Sequence, residues 1–172
     1  MGKIEEILGC NLKPKEKQTK LVEAVISGEI TVEEFITFFE SAKNIDKGTC
    51  ADAMKHISSK KPDLLAPYID ILLSYINHPL PRVKWGVPEA LGNMAENHPD
   101  DVAKAIPYLL KNTTDDKINT TVIRWCAAFA LGEIAKDNPD TRKQLLPVFE
   151  NLIKREKNFG VKNVYIKALK AI

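Results

Sequence analysis

The chain has 172 residues, of which 44% are hydrophobic and 28% are charged, and its formal net charge at pH 7 is +2. This is the composition of an ordinary globular domain, and so small a net charge does not favour a nucleic-acid partner. No apolar run approaches the roughly 18 residues that a membrane-spanning helix needs, and the N-terminal residues lack the hydrophobic stretch of a signal peptide. We therefore expect a cytoplasmic protein that does not bind a membrane.

Residues 1–43 are predicted to form a helical cap that departs from the pattern of the rest of the chain. Thr31 and Glu34 have the spacing of a capping box, and Ile30 precedes them as one half of a hydrophobic staple. Gly28 is suited to end the helix before them. An atypical unit of this kind is expected at the end of a stack of repeats.

The central part of the chain contains an internal repeat. Residues 85–107 recur at 125–147, forty positions later, without a gap. The recurring residues are Trp85, Ala90, Leu91, Gly92, Ala95, Pro99, Asp100 and Pro107, which return as Trp125, Ala130, Leu131, Gly132, Ala135, Pro139, Asp140 and Pro147. A fixed period of about forty residues is typical of helical solenoids, in which each unit buries its apolar face on the next.

Each unit is predicted to hold two successive helices, because its apolar residues follow the 3.6-residue period twice. In the best-preserved first helix these residues are Val83, Val87, Ala90, Leu91 and Met94. We place the repeat units at 44–77, 78–113 and 114–158, with a truncated last unit at 159–172. Three prolines in the second helices are each expected to kink the helix or to end a short turn before them: Pro67, Pro107 and Pro147.

The segments LPRVKWGVPEALGNMA (80–95) and TTVIRWCAAFALGEIA (120–135) resemble HEAT repeats, of the type also called phycobilisome-lyase-like repeats. Both have an aliphatic residue before a basic one, then small residues, then Ala-Leu-Gly. The resemblance extends over residues 44–172 and is strongest at 78–153. It implies a single all-α domain, a right-handed α-α superhelix (a HEAT-like solenoid) of about four units behind the N-terminal cap.

The basic position of this family lies eight residues before the glycine position and holds Lys47, Lys84, Arg124 and Lys162. We call these four residues the basic ladder. They could form a cationic stripe for phosphates or for an acidic peptide, or they could be structural. Lys84 lies within about 20° of Leu91 around the helix, so its stem must be packed. The resemblance implies pairing with an acid of an adjacent unit, and we favour the structural interpretation.

Trp85 and Trp125 lie nearly opposite the main apolar stripe of their helices. Each has small residues on its own helical line, including Gly92 in the first copy and Gly132 in the second. This arrangement predicts a tight seam between units that each tryptophan covers. An aromatic platform for a base or a peptide is the alternative.

We expect a non-catalytic protein-interaction scaffold or adaptor whose partner binds the outward side of the second helices. This second-helix surface consists of Asp70, Ser74, Lys104, Tyr108, Lys111, Lys143, Glu150, Asn151 and Lys154. Residues 141–172 carry eight basic residues against two acidic ones, a net charge of +6, while the rest of the chain carries −4. A basic end of this kind points to an acidic partner.

The alternative function is nucleic-acid binding through the basic C-terminal end, with or without catalysis. Some alkylpurine DNA glycosylases are HEAT-like solenoids that use an aromatic residue and a carboxylate, and Trp85 and Glu89 are spaced to share a helix face. The pair is not repeated, since Phe129 stands in place of Glu89 in the next copy.

The sequence lacks the other common patterns of catalytic and ligand-binding sites. The three histidines are isolated, and the histidines and cysteines lack the spacing of a zinc site. The three cysteines show no Cys-x-x-Cys spacing, which favours free thiols, with Cys50 and Cys126 as small core residues. The glycines do not cluster into a phosphate-binding loop. We therefore expect no catalytic residue, metal site or cofactor.

The last helix is predicted to pack Val161, Tyr165 and Ala168 on the helix before it. Its other face, where Ile166 replaces a small residue of the earlier copies, is then expected to be open. We expect this C-terminal end to dock against a second copy of the chain, which would make a homodimer, or against another partner.

Overall fold

The computed structural model describes residues 2–172, and in that range the chain forms α-helices and two single 3-10 turns, without a β-strand. The helices are α1 (Lys3–Gly9), α2 (Pro14–Ser27), α3 (Val32–Ser41), α4 (Asn44–Lys60), α5 (Ile69–Tyr75), α6 (Pro81–Met94), α7 (Pro99–Ala103), α8 (Ile106–Lys111), α9 (Thr121–Asp137), α10 (Pro139–Arg155) and α11 (Phe159–Ala171). The 3-10 turns, Pro62–Leu64 and Ala66–Tyr68, lead into α5. The predicted all-α class is confirmed.

The first helices of the units, α4, α6, α9 and α11, stack in order, each against the next. The second helices are α5, α7 with α8, and α10. They pack beside this stack, and α10 contacts both α9 and α11. This is the arrangement of a HEAT-like helical solenoid. Its handedness and the boundaries of its units stay predictions.

One hydrophobic core runs through the stack from α1 to α11. The apolar positions predicted for α6, among them Val83, Val87 and Leu91, are fully buried. Cys50 and Cys126 are buried free thiols, as predicted, and Cys10 is half-buried. None of the helices in residues 2–172 is both long enough and apolar enough to cross a membrane.

Glycines let the first helices approach closely. A Cβ at Gly86 of α6 would collide with the backbone carbonyl of Ala51 in α4. A Cβ at Gly92 would lie 2.9 Å from Cε1 of Phe129 and 3.0 Å from Cα of Ala130, both in α9. Side chains at such positions would force the helices apart.

The capping box and the helix end predicted for the N-terminal region are confirmed. Thr31 Oγ1 accepts a hydrogen bond from the backbone N–H of Glu34, and the backbone N–H of Thr31 donates to Glu34 Oε2 at 2.9 Å. Gly28 ends α2 in the left-handed conformation, with φ of 82°. Gln18 of α2 donates a hydrogen bond to the backbone carbonyl of Asp52, which ties this region to α4.

The three prolines of the second helices differ in effect. Pro67 lies within a 3-10 turn, and α7 ends shortly before Pro107, so both mark a break as expected. By contrast, α10 continues through Pro147, and no helix end marks this proline. A proline leaves the carbonyl four residues earlier without its helical partner. For Pro147 that residue is Lys143, which is exposed, whereas for Pro107 it is Ala103, the half-buried last residue of α7.

Candidate functional site

All nine residues of the second-helix surface are exposed. They come from three consecutive stretches of the chain: α5, the stretch from the end of α7 through α8, and α10. Lys104 Nζ lies 3.8 Å from Asp70 Oδ1 and 2.8 Å from Asp101 Oδ1, so the first two stretches adjoin. Arg155, at the end of α10, donates a hydrogen bond to Thr113, just after α8. The surface is therefore continuous across three second helices.

Tyr108 is the largest apolar side chain of this surface and is 40% exposed. The ammonium group of Lys111 lies 5.7 Å from the centre of the Tyr108 ring. Leu146 of α10 is a further exposed apolar side chain, and it lies close in sequence to the basic residues of that helix. Tyr108 is thus an exposed aromatic side chain with one basic side chain, Lys111, against its ring, and aromatic residues are enriched at protein interfaces.

The basic ladder lies mostly inside the structure. Lys47 Nζ donates hydrogen bonds to the carbonyls of Phe39 and Glu40 at the end of α3, at 2.8 and 2.9 Å. The same ammonium group lies about 5 Å from the ring centres of Phe39 and Tyr75. Lys84 Nζ donates to Asn119 Oδ1 at 2.8 Å, in the loop before α9. Removal from water lowers the pKa of Lys47 and of Lys84.

Arg124 makes the densest polar contacts of the ladder. Its guanidinium donates to both carboxylate oxygens of Glu156, at 2.9 and 3.1 Å, and to the carbonyl of Asn119 at 2.8 Å. Asp115 Oδ1 lies 3.0 Å from the same group. The fourth member, Lys162, is half-buried, and its ammonium group makes no ion pair or hydrogen bond within the described range. These contacts suit a structural ladder in which three of the four members tie their first helix to a neighbouring helix end or turn, and its role stays a proposal.

The two tryptophans differ in environment. Trp85 is half-buried, and its indole N–H is buried without a hydrogen-bond partner. Trp125 is 38% exposed and stacks on Phe129 with ring centres 5.8 Å apart and planes only 2° from parallel. The ring that lies against Gly92 belongs to Phe129, so this residue, which is not among the residues shared by the two copies, fills the seam between α6 and α9.

Glu89, the carboxylate of the glycosylase alternative, is already engaged. Cys126 Sγ donates a hydrogen bond to Glu89 Oε1 at 3.2 Å, and Lys55 Nζ lies 3.8 Å from the same oxygen. Within residues 2–172 there is no group of three or more histidine, cysteine, aspartate or glutamate side chains that could hold a metal ion.

A groove of about 510 Å³ runs between α9 and α11. Its walls include Trp125, Phe129 and Val164, and its floor includes the small residues Gly132 and Ala168. Lys136 and Lys167 lie along the groove, and Lys136 Nζ pairs with Glu133 Oε1 at 2.5 Å. The repeat alignment could have revealed this groove, because it places Lys167 in α11 where Phe129 stands in α9.

Most basic side chains of the C-terminal segment are free of ion pairs. In the part of the chain that the structure describes, no carboxylate oxygen lies within 4 Å of the ammonium group of Lys143, Lys154, Lys157, Lys162, Lys167 or Lys170. Arg142 is engaged differently, since its guanidinium donates to the carbonyls of Ala135 and Lys136 at the end of α9. The positive charge predicted for this end is therefore available to a partner.

Residues 81–134 match the family model of the HEAT-like repeat. This range contains α6, α7, α8 and most of α9, which are the two best-preserved first helices and the second helix between them. No match was found among curated proteins.

Proposed function

On the premise that this chain belongs to the HEAT-repeat family, whose repeats commonly serve as protein-interaction scaffolds, we propose that it is a non-catalytic scaffold or adaptor. The proposed partner is an acidic protein, and the proposed binding site is the second-helix surface. The observation that carries the proposal is the continuous exposure of all nine residues of that surface, with Tyr108 among basic side chains.

The proposed interface has an aromatic anchor within a charged rim. Tyr108 can lose its exposed area to a partner, and such residues commonly dominate interface energies. Lys104 and Lys111 flank it, and Lys143 and Lys154 extend the positive charge along α10. Rim charges of this kind act chiefly on association rate and on partner choice.

The test is affinity capture from a native lysate at low and at high salt, with mass spectrometry of the retained proteins. The variant combines Tyr108→Ala with Lys111→Glu, and the matched control is Lys20→Glu, the same charge reversal on the exposed side of α2. We expect proteins that remain bound at both salt concentrations to be lost from the variant and kept by the control. Equal retention by the variant and the wild type would refute the second-helix surface.

Nucleic-acid binding is the second candidate, and the six unpaired lysines of residues 141–172 favour it. Phosphate contacts make affinity fall steeply with salt, whereas an apolar anchor does not. Recovery of nucleic acid at low salt, with its release at high salt and with Lys154→Glu and Lys157→Glu, would favour this candidate over the protein scaffold.

Two further parts of the proposal concern catalysis and self-association. The carboxylate of Glu89 is bound by Cys126 and Lys55, which supports a non-catalytic role. For the C-terminal end, we propose a homodimer through the face of α11 that carries the half-buried Ile166. Sedimentation velocity at micromolar concentration tests it, and a monomer unchanged by Ile166→Glu would exclude it.

A further inference from the structure

The stack of first helices shows how one of its own grooves is filled. In the repeat register, Gly92 of α6 and Gly132 of α9 are equivalent, and each faces an alanine of the next first helix. Gly92 faces Ala130, and the adjacent residue Phe129 lays its ring against Gly92. An aromatic side chain thus closes the space above this glycine.

The next groove has the same floor but lacks the aromatic ring. A Cβ at Gly132 would meet Ala168 Cβ at 3.1 Å, and no other atom of α11 lies within 4 Å of that point. The residue equivalent to Phe129 is Lys167, whose side chain is exposed. The result is the open groove of about 510 Å³ between α9 and α11.

The lining of this groove selects an occupant with two features. Trp125 and Phe129 form an apolar wall that suits an aromatic side chain. Lys167 supplies a positive charge that no carboxylate within 4 Å neutralises in residues 2–172. The groove extends from Trp125 to Lys136, roughly 17 Å at the rise of an α-helix, which matches about five residues of extended peptide.

We infer that the groove between α9 and α11 binds an extended peptide segment of a protein partner, with an aromatic side chain over Gly132 and a nearby carboxylate on Lys167. The aromatic side chain takes the place over Gly132 that Phe129 takes over Gly92. This site rests on the proposed role in protein interaction but not on the second-helix surface, which lies on other helices.

The test selects random dodecapeptides displayed on phage against the wild-type chain and, in parallel, against Lys167→Phe, which supplies the missing ring from α11 itself. We expect the wild type alone to enrich peptides that hold a Phe, Tyr or Trp within a few residues of an Asp or Glu. A fluorescein-labelled copy of the enriched peptide is then measured by polarisation. Its affinity should fall at least about tenfold for Lys167→Phe and for Lys167→Glu, and also when its aromatic residue is changed to alanine.

Lys20→Glu is the matched control, because it reverses an exposed charge on α2, outside the lining of this groove, and should leave peptide affinity unchanged. Thermal unfolding of each variant shows that it is folded, and Lys167→Glu serves if Lys167→Phe does not fold. Absence of an enriched peptide family, a family without aromatic residues, or equal binding by the wild type and Lys167→Glu would overturn the inference. The two proposals can also fail separately. If the wild type binds the selected peptide, but Tyr108→Ala with Lys111→Glu captures the same proteins from lysate as the wild type does, only the second-helix surface is refuted.

Discussion

Arg124 and Glu156 are buried together, with side chains only 6% and 4% exposed, and they join α9 to the turn that precedes α11. Two charges removed from water stabilise a fold only when each satisfies the other. Here Glu156 also accepts a hydrogen bond from the backbone N–H of Asn158, and Asn158 caps α11 through its side chain. The pair therefore sets the position at which α11, the last of the stacked first helices, begins.

Arg124→Ala should lower the free energy of unfolding by about 3–5 kcal/mol, because it leaves the Glu156 carboxylate buried without its main partner. The matched control is Lys162→Ala. This residue holds the equivalent ladder position without an ion pair, so its loss should change stability by no more than about 0.5 kcal/mol. Urea unfolding monitored by circular dichroism measures both. A loss below about 1 kcal/mol for Arg124→Ala would show that the pair is not structural.

The same pair predicts a pH dependence of stability. Burial alone would raise the pKa of Glu156, but hydrogen bonds from Arg124 and from backbone N–H groups outweigh it and hold that pKa below its usual range. A carboxyl whose folded pKa is depressed stabilises fully above its unfolded pKa, near 4.3, and loses this contribution as pH falls through the folded value. Unfolding free energies of the wild type and Glu156→Gln should therefore draw together as pH falls from neutral to below the unfolded pKa of about 4.3. A constant difference across that range would contradict the depressed pKa.

Glycines at the contacts between first helices set the distance between neighbouring helices of the stack. Gly92→Leu should lower stability by about 1–3 kcal/mol or more, because its side chain must displace the Phe129 ring and the backbone of Ala130. Gly9→Leu is the matched control, since it is also a helical glycine but has no atom within 4 Å of its would-be Cβ. It should be neutral or gain up to about 1 kcal/mol from better helix propensity. Equal effects of the two substitutions on thermal unfolding would mean that the seam tolerates widening.

The elements differ in how far the sequence predicted them. The repeat at 85–107 and 125–147 was enough to predict the helices in both copies, because the same 3.6-residue apolar period recurs in each. It did not predict each residue's surroundings, since Gly92 lies against Phe129 whereas Gly132 meets only Ala168. The proline pattern alone did not separate Pro147, through which α10 continues, from Pro67 and Pro107, which lie at breaks between helices. The groove between α9 and α11 depended on a single exchange, Phe129 for Lys167, which changes no helical period. The outward positions of the second helices were predictable from the period, but which of them bind a partner is a property of the partner too.

Across the whole molecule, the helices differ in how many neighbouring helices pack against them. Helices α6 and α9 each have a first helix on both sides, whereas α1 packs chiefly against α2. Local opening is easiest where few contacts hold an element. Amide hydrogen exchange should therefore be slowest in α6 and α9 and fastest among the helices in α1.

Mass spectrometry of deuterium uptake by helix checks this order. In Gly92→Leu, faster exchange is expected in α6 and α9 together, because the substitution weakens the contact that both share, while α1 should keep its wild-type rate. Faster exchange confined to α6 would show that the two helices open independently.

The two buried cysteines, Cys50 and Cys126, can report how the stack of helices opens. Burial raises the pKa of Cys50 to about 12 and raises that of Cys126 further, so neither thiol offers a thiolate at neutral pH while the helices are packed. Cys50 lies in α4 and Cys126 in α9, on either side of α6. In a native sample, an alkylating reagent should mark the half-buried Cys10 first and reach the other two only when their units separate. Mass-resolved labelling rates at Cys50 and Cys126 would then report whether the solenoid opens from one end or all at once, without any substitution in the chain.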